Sequence, residues 1–192
     1  MKTKVVIAED ETLTRMDLIE ILEDNDYEVV GEASDGLEAI DIINEKKPDL
    51  VLLDVKMPLM TGLQVAKVLK ENRFDGCVVM LTAYNIKDYI NKATENSASG
   101  YLLKPIDEGI FLSHLKLIYS KFLELKTLKD EVCKTKKKLE ERKLLERAKG
   151  ILMMKHQWNE NEAYEFMRNL SMEKRITMGK LSEIIVTVGG IS

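Results

Sequence analysis

The sequence predicts an α/β domain on a five-stranded, doubly wound parallel sheet, continued by a long helix and an all-α three-helix domain. Three observations predict it. Short apolar runs without alternation recur through the first 120 residues, and helical periodicity fills the gaps between them. Beyond them the chain carries helix-period patterning with almost no breaker.

Four of the runs are Val5-Val6-Ile7, Asp49-Leu50-Val51-Leu52-Leu53, Cys77-Val78-Val79-Met80-Leu81 and Tyr101-Leu102-Leu103. Runs of this kind read as strands buried on both faces, which is the condition of a parallel sheet. The fifth, Glu28 to Ala33, is more polar and belongs at an edge. Between the runs, Met16, Ile19 and Leu22 recur at helical spacing within Thr12 to Asp24. Leu37, Ile40 and Ile43 repeat the pattern, as do Leu63, Ala66 and Leu69.

From Asp107 to about Glu146 the only helix breaker is Gly109, near the start. Ile118, Leu125, Val132 and Leu139 recur every seven residues; Phe122 takes the companion position, which Lys129, Lys136 and Lys143 then occupy. Such a half-apolar seam fits a short coiled coil, and equally a solvated helix with one apolar stripe. Three helices follow, Arg142 to about His156, Glu160 to Leu170 and Glu173 to Val188. Asn159 with Glu162 reads as a capping box for the second, and Ser171 as the cap of the third. The domain boundaries expected are 1–120, a linker helix over 121–138, and 139–192.

Composition narrows the function classes. Of the residues, 45% are hydrophobic and 32% charged, the balance of a folded globular chain. No apolar run approaches the roughly 20 residues of a membrane span, and Met1-Lys2-Thr3-Lys4 opens no signal peptide. A cytoplasmic protein without membrane partners is expected. Cys77 and Cys133 sit in no metal-binding spacing and read as incidental thiols. Charge is divided unevenly: residues 1–120 hold 13 Lys/Arg against 22 Asp/Glu, whereas residues 121–192 hold 16 against 11. A basic second half suits a polyanionic partner.

The polar residues of the first half fall at the strand ends. Glu9-Asp10 follows the first strand, Asp54 ends the third, Thr82 the fourth, and Lys104-Pro105 follows the fifth. In an open parallel sheet these ends share one rim, where the binding crevice lies. Three close carboxylates need a positive partner, and hard oxygen donors with room for water suit Mg²⁺. Asp54 beside a metal, a lysine and a hydroxyl is placed to act as the nucleophile in phosphoryl transfer. There is no P-loop and no Ser-His-Asp or Cys-His set.

These residues, with Leu52-Leu53-Asp54-Val55-Lys56-Met57-Pro58, Gly62 and Thr82-Ala83, resemble the receiver domain of two-component systems over residues 1–120. The resemblance implies a flavodoxin-like fold and Asp54 as acceptor of a phosphoryl group from a sensor histidine kinase. It implies Mg²⁺ held by Glu9, Asp10, Asp54 and the backbone carbonyl of Lys56. Lys104 and Thr82 would contact the acyl phosphate, Tyr101 would turn inward on activation, and the Lys104-Pro105 bond would be cis. A phosphoaspartyl hydrolase would need an aspartate two residues after Asp54, where Lys56 sits. The chain is therefore expected not to be an enzyme beyond its own phosphorylation and slow hydrolysis.

In the second half, Leu139 to Met153 with its Ala148-Lys149-Gly150-Ile151-Leu152-Met153 core, then Asn161 to Tyr164, resembles the ANTAR domain of transcription antiterminators. The stretch Leu170 to Arg175 further resembles antiterminators of ethanolamine-utilisation operons. The family implies binding to tandem RNA stem-loops in nascent leader transcripts, which acts indirectly on the RNA polymerase elongation complex. Arg142, Lys149, Lys155, Arg168, Lys174, Arg175 and Lys180 form the pool of candidate RNA contacts, from which only part is expected to act. Trp158 and Tyr164 read as core packing rather than base stacking. Ala148, Gly150 and Ala163 read as close-packing positions, which would account for a helical glycine. Phosphorylation is expected to promote a homodimer that engages two hairpins together. The competing reading, a receiver-controlled DNA-binding transcription factor, lacks a helix-turn-helix pattern.

Overall fold

The structure, a computed structural model, describes residues 2–83 and 98–190 and divides into two compact units, residues 1–125 and 126–192. In the first, strands β1 (Thr3–Ala8), β2 (Tyr27–Ala33), β3 (Leu50–Asp54), β4 (Cys77–Thr82) and β5 (Gly100–Leu103) form one sheet. Its order is β2-β1-β3-β4-β5 and every pairing is parallel. The polar strand β2 lies at an edge, as its composition predicts.

Alternation along the buried strands divides the core into two layers, because successive side chains point to opposite faces. Val5, Ile7, Leu50 and Leu52 pack with Leu18 and Leu22 of α1 (Thr12–Glu23). Val6, Ala8, Val51 and Leu53 pack on the other face with α2 (Gly36–Lys46) and α3 (Gly62–Glu71). The phase of two helices differs from the sequence reading: Met16 is 59% exposed and Leu37 50%. Leu18 and Ala39 take the buried places instead. A helix expected after Thr82 falls in residues 84–97, outside those described.

Local chemistry sets the helix ends. Asp35 accepts from the Leu37 and Glu38 amides at 2.8 and 3.0 Å, and Thr61 with Gln64 forms a capping box on α3. Helix α4 (Glu108–His156) is one continuous element of 49 residues, where the sequence reading divided it near residue 141. Its first turns give Phe111, Leu112 and Leu115 to the first unit, and residues 127–143 are exposed throughout.

In the second unit Ala148 and Leu152 of α4 pack with Ala163 and Met167 of α5 (Glu160–Lys174). Leu181 and Ile185 of α6 (Met178–Val188) complete the core. The Asn159–Glu162 capping box forms as predicted. The third helix does not start at Ser171. That residue lies inside α5 and its hydroxyl donates to the Ile176 carbonyl at 2.6 Å. Arg175 turns left-handed at φ 52°, ending α5, and Thr177 caps α6 by accepting from the Lys180 amide.

Gly150 also departs from its reading: a Cβ built there meets nothing within 4 Å. Close packing therefore does not account for it. Gly150→Ala is expected to stabilise the chain by ~0.5–1 kcal/mol, the ordinary helix-interior difference, read from urea melts. A loss of stability on that substitution would show that the position is crowded after all.

Candidate phosphoryl-transfer site and nucleic-acid surface

The parallel register brings the strand ends to one rim. Backbone bonds continue the ladder past them: Glu9 N–H donates to the Ala33 carbonyl at 3.0 Å, and Lys104 N–H to that of Thr82 at 2.8 Å. Glu9 and Asp54 are buried while Asp10 is exposed, and their carboxylate oxygens lie within 4.8 Å of one another. The sequence reading therefore placed these residues together correctly in space.

The positive partner inside this cluster is the Lys104 ammonium, 2.5 Å from Glu9 Oε2 and 3.3 Å from Asp54 Oδ1. The Glu9 contact is an ion pair outside hydrogen-bond alignment, which leaves Oε2 buried without an aligned donor. Burial pushes the Glu9 carboxyl above the usual carboxylate range, with Lys104 opposing it. Burial likewise raises Asp54; Lys104 opposes the rise and Asp10 adds to it. Burial alone would lower the Lys104 ammonium, but the close Glu9 contact and the two carboxylate charges outweigh it and raise it.

Thr82 is buried at the end of β4, and the Lys104–Pro105 bond is cis. Tyr101 is half-buried against the α2/α3 layer, with its hydroxyl buried and no hydrogen-bond partner among the described residues. One positioning residue was not visible in the sequence. Arg15, one turn into α1, donates from Nη1 to the Glu9 carbonyl at 2.7 Å and pairs with Glu32 at 2.9 Å. No periodicity or motif separates it from a solvated helix arginine.

The seven candidate RNA-contacting cations of the second unit are not equivalent. Lys149 is buried and its ammonium pairs with Glu160 at 2.6 Å and Glu146 at 2.9 Å, tying α4 to the start of α5. Lys174 pairs with Glu173 and Lys180 with Glu183 in exposed pairs. Arg142, Lys155, Arg168 and Arg175 are exposed. Trp158 packs as expected, 4.3 Å from the His156 ring and 5.0 Å from Phe166. Tyr164 does not: it stands 44% exposed on α5, because Ala163, Phe166 and Met167 occupy the inward side of that helix. On α4, Phe122 and Ile118 pack on the first unit's core, while Leu125, Leu128, Val132 and Leu139 are exposed.

Comparison with known proteins places both units. Residues 5–116 match the family model described as response regulator receiver domain, and residues 134–186 match the ANTAR domain. The chain is 40% identical over 187 residues to the transcriptional regulatory protein PdtaR of Mycobacterium tuberculosis, covering 97% of this chain and 91% of that one. Among solved structures, the REC domain of AraT, a response regulator from Geobacillus stearothermophilus, aligns with TM-score 0.58 at 29% identity. That alignment covers 66% of this chain and 99% of that one. Chemotaxis response regulator CheY4 of Vibrio cholerae aligns with TM-score 0.58 at 28% identity, over 62% and 99%. With the two family matches, these likenesses make the chain a response regulator that joins a receiver domain to an ANTAR domain.

Proposed function

We propose that this chain is switched by phosphorylation of Asp54 and, once switched, binds tandem hairpins in nascent leader RNA so that transcription continues past a terminator. The observation that carries the reading is the pairing of an ANTAR match with a receiver whose Glu9, Asp10, Asp54, Thr82 and Lys104 meet at one rim. The working boundaries are a receiver over 1–120, a linker helix over 121–138 and an RNA-binding domain over 139–192. The resemblance of Leu170 to Arg175 to ethanolamine-operon antiterminators suggests one class of target leader.

In the transfer step the Asp54 carboxylate attacks the phosphorus of a phosphohistidine on a sensor kinase. The O–P bond forms as the P–N bond breaks, and the imidazole leaves. Lys104, already 3.3 Å from Asp54 Oδ1, is placed to bond the new acyl phosphate, and Thr82 moves toward it. Tyr101 supplies the aromatic ring beside that movement. The donor set fits Mg²⁺: hard oxygens from Glu9, Asp10 and Asp54, with a buried Glu9 oxygen lacking an aligned donor, and the Lys56 carbonyl in addition. Bound there, Mg²⁺ would neutralise charge shared by the carboxylates and the arriving phosphoryl group.

This fit predicts a pH-dependent response to the metal. With Glu9 and Asp54 raised by burial, the stability they contribute in metal-free protein is full below the ordinary carboxylate range. It is lost as pH rises through their raised values. Mg²⁺ at about 100 times its Kd should add ~2.7 kcal/mol at pH near 7 and little under acid conditions. Melting with and without Mg²⁺ at both pH values checks this, and a Tm unmoved by Mg²⁺ at neutral pH would sink the metal site.

Exposed Leu125, Leu128, Val132 and Leu139 on α4 recur at steps of three, four and seven residues and suit a seam between two copies. Paired chains would engage two hairpins at once, a gain on the order of 10²–10⁴ in avidity. The test is binding of a labelled tandem-hairpin RNA, with a duplex DNA control, before and after beryllofluoride treatment, beside sedimentation. Tight DNA binding with no RNA preference would overturn the output assignment.

A further inference from the structure

The outer surface of α5 is divided by charge. Tyr164, Arg168 and Met172 follow one another at four-residue steps, so they line one side of the helix, with Asn161 one turn before and Arg175 at its C-cap. Every one of these residues is exposed; Tyr164 is 44% and Met172 67% exposed. Glu162 and Glu173 fall further round the same helix, and Glu165 borders the line, three residues before Arg168. The one carboxylate on the first line, Glu160 one turn before Tyr164, is held by the Lys149 ammonium at 2.6 Å. Neither Arg168 nor Arg175 forms a side-chain ion pair or hydrogen bond among the described residues, in contrast to Lys149, Lys174 and Lys180.

A tyrosine and a methionine this exposed are not explained by the core, which α5 meets through Ala163, Phe166, Met167 and Leu170. An exposed aromatic beside unengaged arginines, on a strip whose one carboxylate is already paired with Lys149, has the chemistry of a surface for unpaired nucleobases. The ring offers a stacking face, and the guanidiniums offer charge to the flanking phosphates and planar stacking of their own. A protein partner is the weaker fit, because two arginines would then need carboxylates supplied opposite them.

We propose that Tyr164 stacks on a splayed base of an RNA hairpin loop, with Arg168 and Arg175 further along α5 holding phosphates of the same strand, so that α5 contacts the loop directly. This rests on the RNA-binding reading above and assigns that reading a face and a specificity residue. Tyr164 is not part of the second unit's hydrophobic core, so its replacement leaves that core intact.

The experiment uses the full chain treated with beryllofluoride and a tandem-hairpin RNA whose loops are randomised, from which the wild type selects its preferred loops. The selected RNA is then measured against wild type, Tyr164→Phe and Tyr164→Leu, beside an RNA in which the same stems are joined as a continuous duplex. Tyr164→Phe keeps the ring and should bind within about twofold of wild type. Tyr164→Leu keeps apolar bulk without the ring and should lose roughly 5- to 150-fold, the worth of one base stack. A 2-aminopurine placed in the selected loop should be quenched by wild type and by Tyr164→Phe but not by Tyr164→Leu. Binding and quenching by Tyr164→Leu equal to wild type would overturn the stacking role while RNA binding stands. A wild type that selects no loop, or binds the continuous duplex equally well, takes down the RNA-loop reading and this inference with it.

Discussion

Asp54→Ala is expected to hold the chain at its resting RNA affinity whether or not beryllofluoride or a phosphodonor is present. The expected loss is the whole activation ratio, on the order of 10²–10⁴ if two copies bind two hairpins. The structure explains why such a variant should remain folded. Asp54 ends strand β3, whose other residues are buried, and the backbone bond from the Val55 amide to the Leu81 carbonyl at 3.0 Å does not involve its side chain. Lys104 keeps Glu9 as an ion-pair partner. Losing Asp54 also removes a carboxyl whose burial opposes its ionised form. Thermal melting should therefore show little change while the titration with RNA becomes insensitive to the activator. An Asp54→Ala protein that still tightens on RNA with beryllofluoride would place the acceptor elsewhere.

Gly62→Ala carries the second large expectation, and it acts through the backbone of the same residue. A Cβ at position 62 would run into the Asp54 carbonyl oxygen and come within 2.9 Å of the Met80 methyl. Methionine can move aside, but the carbonyl belongs to the central strand of a close-packed sheet. Overpacking of this sort costs on the order of 1–3 kcal/mol or more, a Tm drop of about 2–4 °C for each kcal/mol in a chain of this size. Because the strand must yield at Asp54, Mg²⁺ affinity should fall along with stability. Gly36 is a useful companion, since a Cβ there would strike the Met60 carbonyl and not that of Asp54. Equal effects on Mg²⁺ affinity from the two substitutions would show that the Gly62 contact has no special hold on Asp54.

Much of the first unit was legible because buried parallel strands leave a plain mark: Leu50 to Leu53 are apolar on both faces, and β2 betrays its edge position by being polar. The rim was legible for the same reason, as each site residue directly follows or ends such a run. What was not legible lies where several residue types satisfy one rule. Met16 and Leu18 are both apolar on α1, and only the packing against Ile7 and Leu52 decides that Leu18 goes inward. Ser171 and Thr177 can each cap a helix, and the left-handed turn at Arg175 decides for Thr177. Tyr164 sits one residue after Ala163, so a small error in helix phase exchanges a core position for a surface one. Arg15 acts on a backbone carbonyl, a role that no side-chain pattern encodes.

Residues 127–143 of α4 touch neither hydrophobic core, although the turns before and after them belong to one each. Packing thus constrains this stretch little, and selection acts there mainly on helix propensity, charge and the apolar stripe. A recombination breakpoint falling inside it would sever no buried contact in either parent gene. Receivers and output modules can then be inherited as exchangeable cassettes, each arriving with its half of the interior complete.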